Sequence, residues 1–313
     1  MQRGYDHATM AHMKARGWVM GLTLAITALT AGSAFAYCPT TTCAQNKPPP
    51  ECVTPPTGQC QTVGNMVTWP TKCASFSVQV DGSVKQNIAA NDVEQLLRLC
   101  LDNWQNADCG NSQHPNIKVD TFPQVECSEV RYNADAPNQN VWMFRDSNWV
   151  DDYHSADMIA LTSVHFDKVS GDIYDADEEF NSETYKFSLE TVAGSAYVDL
   201  QSVIQHESGH FLGLAHSFVT SATMYSGYNG GPAMRTLDPD DMQGICSMYP
   251  PESKPNSSCD TTPRHGFSKL CYAPQPNNSG CSIAQNSSAS GRGWMAALGA
   301  LLGAALLGRR FRP

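Results

Sequence analysis

Apolar positions recur with two different rhythms between residues 65 and 250. Phe76-Ser77-Val78-Gln79-Val80 alternates apolar and polar, the period of a strand with one buried face. Val93, Leu96, Leu97, Cys100, Leu101 and Trp104 fall instead at helical spacing, and Asn91 or Asp92 is placed to cap a helix over 91–104. Ile117-Lys118-Val119, Val141-Trp142-Met143-Phe144 and the stretch from Met158 to Val164 read as further strands. Asp199 then caps a second helix, with Leu200, Val203 and Ile204 on one face and an end near Gly213. Strand, helix, several strands, helix is the order of an α/β (α+β) domain in which helices pack on a twisted sheet.

Outside that segment the pattern changes. A basic stretch ending at Arg16, an apolar run from Trp18 to Leu29 and then Ala34-Phe35-Ala36 have the order of a secretory signal, so residues 1–36 are expected to be removed after Ala36. A membrane anchor fits less well, because the run is short and ends in Ala-x-Ala. Residues 37–64 are rich in Cys, Pro and Thr and cannot bury a core of their own; disulfides are expected to hold them. Residues 251–290 are rich in Ser, Asn and Pro and read as a stalk. In residues 291–313 an apolar run from Trp294 to Leu307 meets Arg309, Arg310 and Arg312. That run rises only ~21 Å as a helix, against a hydrocarbon core of ~30 Å.

Length alone would suggest about two domains at ~150 residues each, yet only residues 65–250 carry sustained periodicity, so one globular domain is expected. Charge is unevenly placed. The 313 residues carry a net −10, but residues 37–291 hold 13 basic side chains against 29 acidic ones, a net −16. An acidic body repels phosphate backbones, which argues against nucleic-acid binding. Twelve cysteines without metal-ligand clustering point to an oxidising compartment.

The second helix carries the chemistry. His206 and His210 lie four residues apart, so both rings project from one face. That spacing lets two imidazole nitrogens reach one ion at ~2.0–2.1 Å. Gly213 permits a left-handed turn, after which the chain can swing back and deliver His216 as a third ligand. Three protein ligands leave a fourth position open, the arrangement of a catalytic zinc rather than a structural one. Glu207 stands beside the metal, not on it. The plain alternative for HExxH alone, two histidines packed in a buried helix, does not account for the added glycine and third histidine.

His206-Glu207-x-x-His210-x-x-Gly213-x-x-His216 resembles the signature of the metzincin zinc endopeptidases, and Met224, eight residues past His216, sits where that clan has its methionine turn. Ser217 after the third histidine, and Asp240-Asp241-Met242-Gln243-Gly244-Ile245 downstream, are similar to the matrixins in particular. The resemblance runs from about Trp69 to Pro250, with specific motifs only from His206 onward. It implies a twisted five-stranded mixed sheet, three helices and a cleft across one catalytic zinc. It also implies a zinc-activated water, polarised by the Lewis acid and deprotonated by Glu207, which then hands its proton to the departing amine. Extracellular protein or peptide substrates would lie along the edge strand around Ile159 to Val164. A peptidase of another metzincin family stays the near alternative, and a non-catalytic surface adhesion or binding module of the same fold the distant one; intact Glu207 speaks against the latter.

Several features depart from the family pattern. His154 and His165 are present where matrixins bind a second zinc, but Ser163 stands where a histidine would align, so no second zinc is expected. The run from Gly171 to Glu179 offers oxygens to calcium, or else forms a solvated acidic turn. Ser226 stands where many matrixins have proline, and Tyr228 is placed to line the specificity pocket. The matrixin cysteine-switch sequence is absent, which leaves two options for Cys43, Cys52 and Cys60: one of them ligates the zinc in a latent precursor, or all sit in disulfides.

Gly280-Cys281-Ser282, with the tail behind it, resembles the MYXO-CTERM sorting signals of Gram-negative bacteria. This implies sorting machinery at the membrane as a partner and a product at the cell surface or in the medium. A permanent weak anchor is the alternative. If Cys281 is consumed in sorting, eleven cysteines remain and one is unpaired. Oligomeric state has no signal in the sequence.

Overall fold

In the computed structural model of the protein the element order is β1 (Cys38–Pro39), β2 (Cys73–Val78), α1 (Ala90–Gln105), β3 (Lys118–Thr121), β4 (Val141–Phe144), β5 (Ala160–Phe166), β6 (Ile173–Phe180), β7 (Phe187–Ser188), β8 (Val198–Asp199), α2 (Leu200–Phe211), β9 (Leu214–Ala215), a 3-10 helix (Gly231–Arg235) and α3 (Pro239–Met248). The structure describes residues 37–43, 52, 55–150, 154–190, 196–251 and 259–272, all within the first of two units, Met1–Ala273. The second unit, the segments 1–36 and 291–313, and Cys281 lie outside the described residues. Among the described residues no helix is long and apolar enough to cross a membrane.

Five strands form one mixed sheet in the order β3-β2-β4-β6-β5. β5 is antiparallel to β6, and the other pairs are parallel. With three helices, this is the α/β architecture expected. One face meets α1 and α2 across a core built on Trp104, Trp142, Phe180, Phe211, Leu97 and Ile204. A smaller core, Val125, Cys127, Val141, Met143 and Cys271, covers the opposite face.

That second layer explains where the hydrophobic pattern misled. β2 begins at Cys73 and ends at Val78, earlier than the alternation of 76–80 predicts, and all six of its residues are buried. Ser75 and Ser77 alternate as solvent-facing residues would, yet each is only 1% exposed. The run from Gly171 to Glu179 is likewise no solvated turn. From Ile173 it is β6, an interior strand with Asp175, Asp177, Glu178 and Glu179 all buried. A strand covered on both faces has no polar side, and Asp177 there is met by hydrogen bonds, accepting the N–H groups of Arg131 and Val141 at 2.7 and 2.8 Å.

Two further readings are corrected. α1 starts one residue earlier than expected, with extended Ala89 as N-cap and no side-chain cap, so neither Asn91 nor Asp92 fills that role. Asp92 sits in the first turn, where it complements the helix dipole, and Asn91 accepts from Gln124 instead. Part of the segment read as a stalk packs on the domain: Cys259 bonds to Cys73, Cys271 to Cys127, and Arg264 lies over the Tyr174 ring.

The N-terminal segment also joins the body. β1 pairs antiparallel with β9, and Cys38–Cys60 and Cys43–Cys52 close its loops. Cys43, Cys52 and Cys60 are therefore all in disulfides, and the option of a zinc-ligating thiolate among them falls. The unpaired cysteine of the described residues is Cys100, buried in α1.

Candidate active site

α2 is anchored at both ends before it presents any chemistry. Its N-cap Asp199 accepts the Ser202 N–H at 2.8 Å and receives Arg235 from the 3-10 helix in a two-pronged ion pair, with contacts down to 2.5 Å. At the other end the Trp69 indole donates to the Phe211 carbonyl and the Tyr249 hydroxyl to the Leu212 carbonyl, each at 2.9 Å. These are carbonyls that a helix C-terminus leaves without intrahelical partners. Midway, Trp104 donates to the Gln205 carbonyl at 2.9 Å. The Asp199 cap was legible in the sequence; the other clamps were not, because each joins residues on different elements.

The turn after α2 depends on glycine. Gly213 has φ +94°, and a Cβ there would lie 2.1 Å from the Val67 carbonyl oxygen. With that turn made, β9 brings His216 back toward the helix. His206, His210 and His216 place one ring nitrogen each within 4.8 Å of the others. His210 Nε2 and His216 Nε2 are 3.2 Å apart. Among the described residues these three are the one group of three or more His, Cys, Asp or Glu side chains that converges in this way.

Backbone carbonyls decide which nitrogens converge. His206 Nδ1 lies 2.6 Å from the Thr223 carbonyl and His210 Nδ1 lies 2.8 Å from the Leu214 carbonyl. Each Nδ1 must donate, so each Nε2 carries a lone pair into the shared space. Burial pushes all three imidazoles down, His206 and His216 to about 4, with His210 also lowering His216. With His216 Nε2 only 3.2 Å from His210 Nε2, the three imidazoles form a close-set nitrogen donor set that suits zinc.

Met224 lies beneath the cluster. A Cβ on Gly209, inside α2, would come 2.2 Å from Met224 Sδ, so glycine here is what admits the methionine. Asp241, in α3, accepts the N–H groups of Thr223 and Met224 at 2.7 and 3.0 Å. Ser217 N–H donates to the Met224 carbonyl at 2.7 Å, and the Ser217 hydroxyl to Asp240 at 2.6 Å.

Glu207 is 7% exposed, and burial pushes its carboxyl up while His210 pulls it down. Its Oε2 lies 2.7 Å from the hydroxyl of Thr162 on β5, a contact with no sequence signal. Thr162, Glu207, the three histidines and Tyr228 line a cleft of 970 Å³ bounded on one side by β5. The Tyr228 hydroxyl accepts the Asp199 N–H at 2.8 Å, which ties this wall to the head of α2.

The remaining sequence candidates do not join the cluster. His154 touches Glu179 and stacks on Trp149, while His165 lies 3.8 Å from Asp175 and stacks on Tyr132. Along β6 the acidic side chains are divided: Glu178 faces α2 and Glu207, whereas Asp177 serves the backbone of the opposite layer.

Comparison with known proteins agrees with this geometry. Residues 69–250 match the sequence profile of the Matrixin family. Metalloendoproteinase 5-MMP of Arabidopsis thaliana is 39% identical over 75 residues, 24% of this chain and 21% of that protein. Matrix metalloproteinase-19 of Mus musculus is 37% identical over 94 residues, 30% of this chain and 14% of its own. Karilysin of Tannerella forsythia is 44% identical over 66 residues, 20% of this chain and 14% of its own. The chain thus spans about a fifth or less of each of these relatives. With the family profile covering more than half of its length, the chain belongs to the matrixins.

Proposed function

We propose that the protein is an exported zinc-dependent endopeptidase that hydrolyses peptide bonds of extracellular proteins. His206, His210 and His216 hold the metal, and Glu207 is the general base. The observation that carries this reading is the convergence of three imidazole nitrogens beside a buried carboxyl in an open cleft. Zinc, when bound, supplies Lewis acidity to the scissile carbonyl and to water. Glu207 takes the proton from the attacking water and returns it to the departing amine. A carboxyl lifted by burial suits both halves of that work, because its proton affinity moves toward neutrality.

β5 supports a peptide substrate. It is an edge strand of the sheet and borders the cleft, so an extended chain can pair with its outer backbone while side chains enter the space near Tyr228. Five disulfides among the described residues support export, since such bonds persist in oxidising compartments. The signal-like residues 1–36 and the tail around Cys281 complete the addressing, with surface sorting or release as the outcome.

The test is cleavage of casein or gelatin by the secreted, zinc-loaded protein. Cleavage is expected to stop on chelation, return with zinc, and be lost in Glu207→Ala. A fully loaded wild type that cleaves nothing but adheres to protein surfaces would favour the binding-module reading.

A further inference from the structure

Two carboxyl groups meet one hydroxyl beneath the cleft. The Thr162 hydroxyl is 2.7 Å from Glu207 Oε2 and is also in hydrogen-bond contact with Glu178 Oε2. Thr162 and Glu178 are register partners across β5 and β6, so the contact is built into the sheet. Glu178 is 1% exposed, and Ala176 and Phe180, its neighbours on the same face of the strand, belong to the apolar core. Among the described residues no lysine, arginine or histidine forms an ion pair with it. The charged groups that act on it are Glu207, Glu179 and Asp177, all acids.

The proton count is then short by one. A hydroxyl donates once, and an ionised carboxylate only accepts, so Thr162 can satisfy one of its two contacts. The other needs a proton on a carboxyl. An ionised Glu178 would leave a charge in the core with Oε1 lacking any hydrogen-bond partner among the described residues, next to a second carboxylate. Glu207 instead lines the open cleft and is 7% exposed, against 1% for Glu178.

We infer that Glu178 is a neutral positioning residue whose carboxyl O–H donates to Thr162, whose hydroxyl in turn donates to Glu207 Oε2. This three-member chain fixes the plane of the Glu207 carboxylate and leaves its other oxygen for the water proton. Burial and the proximity of Glu207 act in the same direction, keeping the proton on Glu178. The inference rests on Glu207 being the general base. It gives Thr162 two tasks, its backbone bordering the peptide site and its side chain orienting the base.

The test separates a hydrogen-bond role from simple packing. Glu178→Gln keeps a neutral donor for Thr162 and is expected to hold kcat near the wild-type value. Glu178→Met, equal in length but unable to donate, is expected to lower kcat by ~10–100-fold with KM unchanged, the loss typical of a removed orienting partner. Thr162→Val should match it, Thr162→Ser should restore activity, and the Val/Met double variant should lose little more than either alone.

Infrared spectra of the unloaded and zinc-loaded proteins provide a readout without turnover: wild type should show a protonated-carboxyl band that Glu178→Gln lacks. Identical carboxyl bands in the two proteins, or a Glu178→Gln as impaired as Glu178→Met, would overturn the inference. A wild type that shows the band but cleaves no peptide would overturn the reading of the site, while the hydrogen-bond chain itself would stand.

Discussion

Asp241 holds Thr223 by its backbone: the carboxylate accepts the Thr223 N–H at 2.7 Å, and the Thr223 carbonyl then sits 2.6 Å from His206 Nδ1. A residue of the last helix thereby sets the orientation of a ring on the second. The same carboxylate accepts the N–H groups of Met224 and Asp238, so three donors lose their partner if it is removed. Asp241→Ala is expected to weaken zinc binding by ~10–100-fold, as loss of an orienting partner does, without touching a ligand. Competition against a chelator of known affinity reads this directly. An unchanged affinity would mean that the Met-turn holds its shape without α3.

The ion pair between Arg235 and Asp199 should matter more to stability than its surface position suggests. The Asp199 side chain is 3% exposed and that of Arg235 21%, and Asp199 is also the N-cap of α2. Arg235→Ala leaves a buried carboxylate uncompensated, expected to cost ~3–5 kcal/mol. Asp199→Asn in the same background should recover part of that loss, because it removes the stranded charge and keeps a capping oxygen. Denaturant unfolding of the single and double variants measures both, and a double variant less stable than Arg235→Ala would refute the account.

Acidic pH should favour the fold through Asp177. Burial, the largest influence, lifts its carboxyl to about 7 despite the hydrogen bonds from Val141 and Arg131. An unfolded aspartate titrates near ~3.9, so across the interval up to the folded value the folded chain binds a proton that the unfolded chain has released. The stabilisation is complete below pH ~4 and is lost as pH rises through about 7, at up to ~1.4 kcal/mol per unit. Asp177→Asn is expected to flatten this slope relative to wild type. Unfolding of both proteins over a pH series, at equal metal content, checks the difference, since the histidines contribute alike to both. Parallel curves would reject the assignment.

Thiol counting tests the cysteine arrangement. Cys100 is fully buried, and burial pushes its thiol up, so little of the reactive thiolate forms. Unfolding without reductant should expose one thiol that the native protein withholds. The total under those conditions should be one per chain if the tail has been removed before Cys281, and two if Cys281 remains. A larger number would show that one of the five disulfides is not formed.

The candidate ligand set was legible because it is local. His206, Glu207, His210, Gly213 and His216 lie on one helix and the turn that ends it, so spacing along the chain fixes which groups share a face and where the backbone can reverse. α1 and four of the five strands of the main sheet were legible for a related reason, since apolar positions at a regular period mark elements that pack on a core. β6 was not: covered on both sides, it carries four buried acids in its eight residues and reads as a solvent-facing turn. The cysteines had a number but no pairing, because Cys73–Cys259, Cys109–Cys246 and Cys127–Cys271 each join residues more than 130 positions apart.

Sequence by itself thus determined the family and the candidate metal-binding motif, both of which rest on residue types at short spacing. Only the tertiary structure decided what surrounds that motif: Thr162 and Glu178 behind Glu207, Asp241 behind His206, Arg235 beneath the head of α2. Hydrogen bonds and ion pairs act over a few ångströms of space, and a chain brings such groups together only once its sheet and helices have packed.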